Sequence, residues 1–536
     1  VQTCALPIYP EALDICLTIA KMLDMTPVEQ IHTMRKLVVD GSNTSGFQRT
    51  ALVALSGALP DGCRIETICL EEEAAQRVEG ETFSLDRLGI PLVEITTAPC
   101  MRTPEAVQEV AAYIGMVLRS TGRVKRGLGT IRQDINVSIA GGARVEIKGV
   151  QELDLIAEVV RREVDRQTNL LAIRDALRDR GARVDRTVVD VTALFAGTKS
   201  AVLKKAKSIL AIRLCGFAGL VGREIQPGRR LGSEMSDYAK KCGVGGIFHT
   251  DELPAYGVTA EEVARLREFV GAGDDDCVAI VAASRERAGC AAEQVMIRAD
   301  MALAGVPEET RKMLEEGSSA YMRPLPGAAR MYPETDVFPI ALSGALWEGI
   351  RVPELLTDRA ERFVREFGLD GALARQVAFS ERLPLFERAV AAGVRPTLAA
   401  RTLLATCREL ARGGVAIDRV SEDDILALLS AVEAGRAAKE AIPDLLAELA
   451  RTADESAGTP RERVDAAIAK MAPAVSQADV ESIVRRIVAE REAFAREKGM
   501  GALGPLMGVV MQELRGSVDG KVVSETLRRE LKRLLS

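Results

Sequence analysis

The chain has 536 residues, 47% of them hydrophobic and 28% charged, which excludes wholesale disorder and, at about 150 residues per domain, a single-domain protein. Its 71 basic and 77 acidic residues leave a net charge of −6, so a generally basic nucleic-acid binder is excluded while a local basic face is not. No stretch of about 18 apolar residues runs without a charge or a Gly/Pro break, so no membrane-spanning helix is expected.

The chain opens on Val1, and VQTCALPIY has neither the basic start nor the long apolar stretch of a secretory signal. A helical text, PEALDICLTIAKMLDM, follows Tyr9. The residues before Tyr9 are expected to be foreign to the fold, and a natural N-terminal segment to be missing. Residues 9–200 mix helical and strand patterns. SNTSGFQRT (42–50) is a polar loop in which Ser45, Gln48 and Arg49 can line a pocket. IPLVEITT (90–97) reads as a strand, and DINVSI (134–139) and ARVEIKGV (143–150) alternate with period two. Helices are predicted over 104–119, with Thr103 as N-cap, and over 151–180. Together these make an α+β body with a mainly antiparallel sheet.

SAVLKKAKSILAIR (200–213) is read as a basic helix suited to phosphate contacts: six basic residues and no acid lie between Asp190 and Glu224. From about 217 the texture changes to loops and short strands, then a helix, TAEEVARLREFVG, then the buried-strand pattern CVAIVAAS. This predicts a compact α/β module inserted in the first body. After Val352 nearly every segment carries apolar residues at i, i+3 and i+4, and a polar linker precedes a last small helical unit. The domains are therefore placed at 1–216, 217–316, 317–350 (a return to the first body), 351–470 and 471–536.

Ten cysteines stand without a CxxC pair, and the only histidines are His32 and His249. The cysteines read as free thiols in a reducing cytosol, and zinc and a His-based triad are disfavoured.

Chemistry is expected in the first body. Glu94 interrupts an apolar strand, where a buried carboxylate is costly unless it is paired or bound to a metal. With Glu71, Glu72 and Glu73 nearby and no His/Cys cluster, oxygen donors favour Mg²⁺, against the alternative that Glu94 faces solvent or pairs with Arg87 or Lys148. Residues 119–133 are basic, and Arg126, Gly127 and Gly129 offer close backbone approach to an anion, although no Walker motif is present. Residues two apart share a strand face, so Asp134 with Asn136, and Glu146 with Lys148, line either an open sheet face or an active-site floor.

LDRLGIPLVEITTAPCMRTPEA, GTIRQDINVSI, VEIKGVQELD and RMYPETDVFPI together resemble the B/E subunit family of tRNA-dependent amidotransferases. The stretches MRKLVVDGSNTSGFQRTAL and GREIQPGRRLGSEMSDYAKKCGVGGIFHTDELPAYG are similar to its archaeal E branch, which belongs to glutamyl-tRNA(Gln) amidotransferase. The final MGVVMQELRGSVDGKVVSETL resembles the family's tRNA-binding tail. The resemblance implies a cradle-shaped body, an insertion like that of bacterial-type aspartyl-tRNA synthetases, and a helical domain with a tail. It implies ATP- and Mg²⁺-dependent phosphorylation of the glutamyl side chain of misacylated glutamyl-tRNA(Gln). Ammonia from an asparaginase-like partner in a hetero-oligomer then gives glutaminyl-tRNA(Gln) in the cytoplasm. Carried over by motif, Glu72 and Glu94 are metal ligands, and Arg132, Asp134, Asn136, Glu146 and Lys148 are catalytic-floor residues. In the tail Arg515, Lys521, Arg528, Arg529, Lys532 and Arg533 are expected to meet tRNA backbone. The family's GLEIH-like opening strand is absent from this sequence. Two other readings stand beside this one: a non-catalytic tRNA-binding scaffold, and a relative of aspartyl-tRNA synthetase.

Overall fold

The computed structural model describes residues 9–38, 46–127, 129–325, 331–453, 458–471, 477–514 and 520–535. The chain divides into two units, Val1–Pro353 and Glu354–Ser536. The first is mixed α/β and the second helical.

Three sheets organise the first unit. The strands Phe47–Ala58 and Arg64–Glu72 carry alternating aliphatic residues and turn on Pro60-Asp61-Gly62, where Gly62 takes the positive φ of 83° that the turn requires. They form the centre of an antiparallel sheet ordered Met331–Pro333, Thr33–Leu37, Phe47–Ala58, Arg64–Glu72, Pro91–Thr97. The Pro10–Met22 helix packs on it through Leu13, Cys16, Leu17 and Ala20, which recur at helical spacing.

The second sheet is ordered Ser319–Pro324, Glu309–Met313, Val145–Val150, Gln133–Val137. Ile135, Val137, Val145, Ile147 and Val150 face a core shared with Ile156, Val159 and Val160 of the Leu153–Asp179 helix. Its central pair, Val145–Val150 with Glu309–Met313, is parallel. A parallel neighbour cannot follow through a hairpin, so the chain between them makes a long excursion. That excursion contains the third, antiparallel sheet, ordered Arg183–Asp190, Ser208–Cys215, Cys277–Ala283, Phe248–His249. Its middle strands are buried on both faces: Leu210, Ile212, Leu214, Cys277, Ala279 and Val281 on one, Ile209, Ala211, Val278 and Ile280 on the other.

The Leu153–Asp179 helix serves both sheets, packing Ile156 to Val160 on the second and Leu170, Ile173 and Leu177 against the third. It carries the predicted 151–180 helix, and Pro104–Ser120 begins as predicted at Thr103, whose side chain accepts from the Ala106 N–H at 3.2 Å.

Three expectations are corrected. A module boundary at 217 would split the third sheet, because the strands Arg183–Asp190 and Ser208–Cys215 already belong to it. The stretch 200–213 is not a basic helix. Only the short turn Leu203–Lys205 is helical, and SILAIRLC is a central strand, because an apolar run of that length is served by burial on two sheet faces. Four cysteines are not free: Cys63–Cys100 and Cys242–Cys290 are disulfides with Cα–Cα distances of 5.4 and 5.9 Å. In each case the fold brings together side chains far apart in sequence, which spacing alone cannot reveal.

The second unit is helical throughout its described residues, and among all described residues no helix is long and apolar enough to cross a membrane. Its last helices, Gln477–Glu490, Glu492–Lys498, Leu503–Leu514 and Gly520–Leu535, enclose a separate core of Val480, Val484, Ile487, Leu506, Val510, Val523, Leu527 and Leu531.

Candidate active site

In the first sheet the register sets Lys36 opposite Gln48, Thr50 opposite Glu71, and Cys69 opposite Glu94. Since side chains alternate, Lys36, Gln48, Cys69, Glu71 and Glu94 project from one face, and Arg35, Arg49 and Glu72 from the other.

On the first face Lys36 Nζ lies 2.7 Å from Glu71 Oε1, and Gln48 Nε2 donates to Glu71 Oε2 at 3.3 Å and to the Glu72 carbonyl at 2.8 Å. Glu94 keeps an accessible edge, but its carboxyl sits among protein groups. That loss of hydration pushes its pKa up, helped by a hydrogen bond and like charge from Glu71 and the field of Asp134, and opposed by Lys36. The same surroundings raise the Cys69 thiol to about 11, burial first and then Glu94 and Glu71.

On the opposite face Glu334, just beyond Met331–Pro333, is fully covered and accepts from Arg35 Nε and Arg49 Nε, each at 2.7 Å. The Arg35 bond chiefly holds its carboxyl near a pKa of about 2. Arg49 also lies 3.4 Å from Glu72, and both guanidiniums stack over Phe47. Burial raises the Glu72 pKa against the pull of Arg49.

The second sheet presents its polar face as the alternation implied. Asn136 stands opposite Glu146, and Glu146 opposite Thr310. Lys148 Nζ bridges Asp134 at 2.5 Å and Glu146 at 3.0 Å, and the Thr310 hydroxyl donates to Glu146 at 2.9 Å. Burial opposes charge on both Lys148 and Glu146, but their mutual attraction and Asp134 prevail, so the lysine is raised and the glutamate lowered. Arg132 pairs with Glu73 at 2.5 Å, and Arg87 reaches both Glu73 at 3.3 Å and the Gly129 carbonyl at 3.4 Å. Gly127 and Gly129 take φ of 110° and 74°, backbone that admits glycine readily, with Arg126 beside them.

The structure thus brings Glu94 together with Glu71, Lys36 and Asp134, and joins Asp134, Glu146 and Lys148. It does not bring Glu72 to Glu94: expected to share one ion, they leave opposite faces of adjacent strands. Ser45 lies outside the described residues. Lys36, Thr310 and Glu334 were not singled out from the sequence, for their partners come from distant strands. Two carboxyl groups in contact cannot both ionise easily without a cation between them, and an oxygen-only set selects a hard one. The residues therefore fit a divalent cation such as Mg²⁺.

Two family models match the chain, "GatB/GatE catalytic domain" over residues 3–348 and "GatB domain" over residues 384–531. Among similar curated proteins are three archaeal E subunits of glutamyl-tRNA(Gln) amidotransferase. That of Methanospirillum hungatei is 62% identical, covering 99% of this chain and 85% of the relative. That of Archaeoglobus fulgidus is 50% identical, covering 98% and 84%. That of Methanocaldococcus jannaschii is 48% identical, covering 98% and 86%. On these matches the chain belongs to the GatB/GatE family of amidotransferase subunits.

Proposed function

We propose that the chain carries the ATP- and Mg²⁺-dependent step that converts glutamyl-tRNA(Gln) to glutaminyl-tRNA(Gln). The observation that carries this reading is the contact between the Glu71 and Glu94 carboxyls, faced by Asp134 and flanked by Lys36. Carboxylate oxygen is a poor leaving group, and bound ATP would supply the phosphoryl group that makes the substrate's glutamyl carboxyl displaceable by ammonia. That chemistry needs a held cation and placed positive groups, not a covalent nucleophile.

In this reading Glu71 and Glu94 hold the cation, and Lys36 and Gln48 fix Glu71. Asp134, Glu146 and Asn136 form the floor, and Lys148, locked between two carboxylates, presents its positive charge to the reacting centre. Arg126, Gly127 and Gly129 give an anion-binding turn for phosphate, with Arg132 behind it. Arg49 and Gln48, one strand residue apart, anchor the neighbouring edge. Ammonia comes from an asparaginase-like partner in a hetero-oligomer, and the basic helical tail meets the tRNA.

The test is amidation of glutamyl-tRNA(Gln) with ATP, Mg²⁺ and ammonium chloride in place of the partner. Product formation that needs all three supports the reading. Glutamyl-tRNA binding with no ATP turnover in the complete complex supports the scaffold instead.

A further inference from the structure

The third sheet holds a cluster that the amidotransferase chemistry leaves unused. His249 pairs with Ala279, two residues from Cys277, so the two side chains leave the same face of the sheet. The turn after His249 is held on that strand by the Thr250 N–H donating to the Val278 carbonyl and the Val278 N–H donating to Thr250 Oγ1, both at 3.0 Å. Two residues past His249, Asp251 swings back and accepts from the Gly222 N–H at 2.9 Å. The outcome is that one ligand atom each from His249, Asp251 and Cys277 lies within 4.8 Å of the other two.

His249 is 3% exposed and Cys277 fully buried. His249 Nδ1 has no hydrogen-bond partner, while Glu252 Oε2 lies 3.9 Å from Nε2. An orphaned polar atom in an aliphatic core costs about 1–3 kcal/mol. The ring has no room to turn away, because any Cβ on Gly232 would stand 2.5 Å from Nε2.

We propose that His249, Asp251 and Cys277 form a binding site for a transition-metal dication of the Zn²⁺ class, separate from the Mg²⁺ site of the first sheet. A nitrogen, a sulfur and an oxygen donor select a borderline ion over a hard one. One thiolate and one carboxylate offset the two positive charges, as burial demands. On binding, the Cys277 S–H bond breaks, the proton leaves to solvent, and the sulfur pair forms the metal bond. Three protein ligands leave one position of a tetrahedral ion to solvent. Such an ion would clip the 249–253 turn to the Cys277–Ala283 strand. The sequence conceals the set, because a metal motif is sought as clustered cysteines and here the sulfur arrives from a neighbouring strand.

The test is titration of the chelator-stripped full-length chain with Co²⁺, followed by absorbance. A thiolate-to-cobalt charge-transfer band saturating at one ion per chain, removed by Zn²⁺ but not by excess Mg²⁺, is expected. Cys277→Ser should lose the band. Asp251→Asn, which keeps shape at a half-buried position, should weaken binding by at least about tenfold. No band in the wild-type chain, a band that survives Cys277→Ser, or unchanged affinity in Asp251→Asn overturns the proposal.

Discussion

Glu234 and Arg166 meet at the middle of the helix that passes from the second sheet to the third, with Nη1 2.8 Å from Oε1 and neither side chain exposed. Around them Arg166 pairs with Glu163 at 2.8 Å, Arg311 reaches Glu234 at 2.9 Å, Arg298 also grips Glu234, and Arg311 grips Glu309. Three guanidiniums and three carboxylates therefore balance in a site without water. Burial opposes the charge on Glu234, but Arg166, Arg311 and Arg298 hold its pKa well below the usual carboxylate range. Breaking one member leaves an uncompensated buried charge.

Glu234→Gln should accordingly cost about 3–5 kcal/mol of stability. Urea unfolding followed by the fluorescence of Trp347, the chain's single tryptophan and a member of the same unit, would read it. A loss under about 1 kcal/mol, the size of a surface pair, would mean that water enters the network and the charges are not sealed.

The two faces of the first sheet separate catalysis from support. Glu71→Gln and Glu94→Gln should each lower ammonia-dependent amidation by about 10²-fold or more, since a held cation contributes several kcal/mol to the transition state. They should also raise the Mg²⁺ concentration needed. Glu72→Gln acts on Arg49 and should cost about 1 kcal/mol of stability with little change in Mg²⁺ dependence. If Glu72→Gln shifts that dependence as far as Glu71→Gln, the assignment of faces is wrong.

How far the sequence could be read follows from the range of the interactions involved. The Thr103 cap, the alternating floor strands and the long helix after Leu153 are local patterns, and they stand where periodicity puts them. The pairing of Glu94 with Glu71 depends on the register between two strands. A motif that names consecutive glutamates cannot say which of them faces the partner, since neighbours on a strand point apart. Glu334 is less legible still: its partners Arg35 and Arg49 lie about three hundred positions away in sequence, and only the return of the chain to the sheet edge makes it a buried anchor. The stretch 200–213 misled for a related reason. Its lysines suggested a helical charge face, but SILAIRLC beside them was claimed by a two-sided core.

Glu334 also sets an acid limit. Its pKa falls from 4.5 to about 2 in the folded state, so the unfolded chain binds the proton more readily. Its contribution is complete above 4.5 and is lost as pH falls toward 2. Glu334→Gln should be less stable than the wild-type chain at neutral pH, and the gap should narrow across that window. Thermal midpoints of both proteins at several pH values would decide it. A gap that stays constant down to the acid end would show that Arg35 and Arg49 do not act through the ionised carboxylate.

The tail offers a graded test of the tRNA reading. In the Gly520–Leu535 helix Val523, Leu527 and Leu531 fill the core, which leaves Lys521, Arg528, Arg529, Lys532 and Arg533 on the outer side. Arg528, Arg529 and Lys532 line one shallow depression with Glu525, and Arg529 is tied to Glu481 at 2.5 Å; Arg515 lies outside the described residues. Because these side chains are exposed, removing their charge should leave the helical core folded. Phosphate contacts release counterions, so each one lost should reduce the log–log salt slope of tRNA binding by about 0.7–0.9. The double variant Arg528→Ala/Lys532→Ala should therefore bind tRNA more weakly at low salt and converge on the wild-type chain as salt rises. It should weaken all tRNAs alike, because backbone contacts carry no sequence. Binding measured at several salt concentrations, with circular dichroism to verify the helices, provides both readings. An unchanged slope in a folded variant would place the tRNA contact elsewhere on the chain.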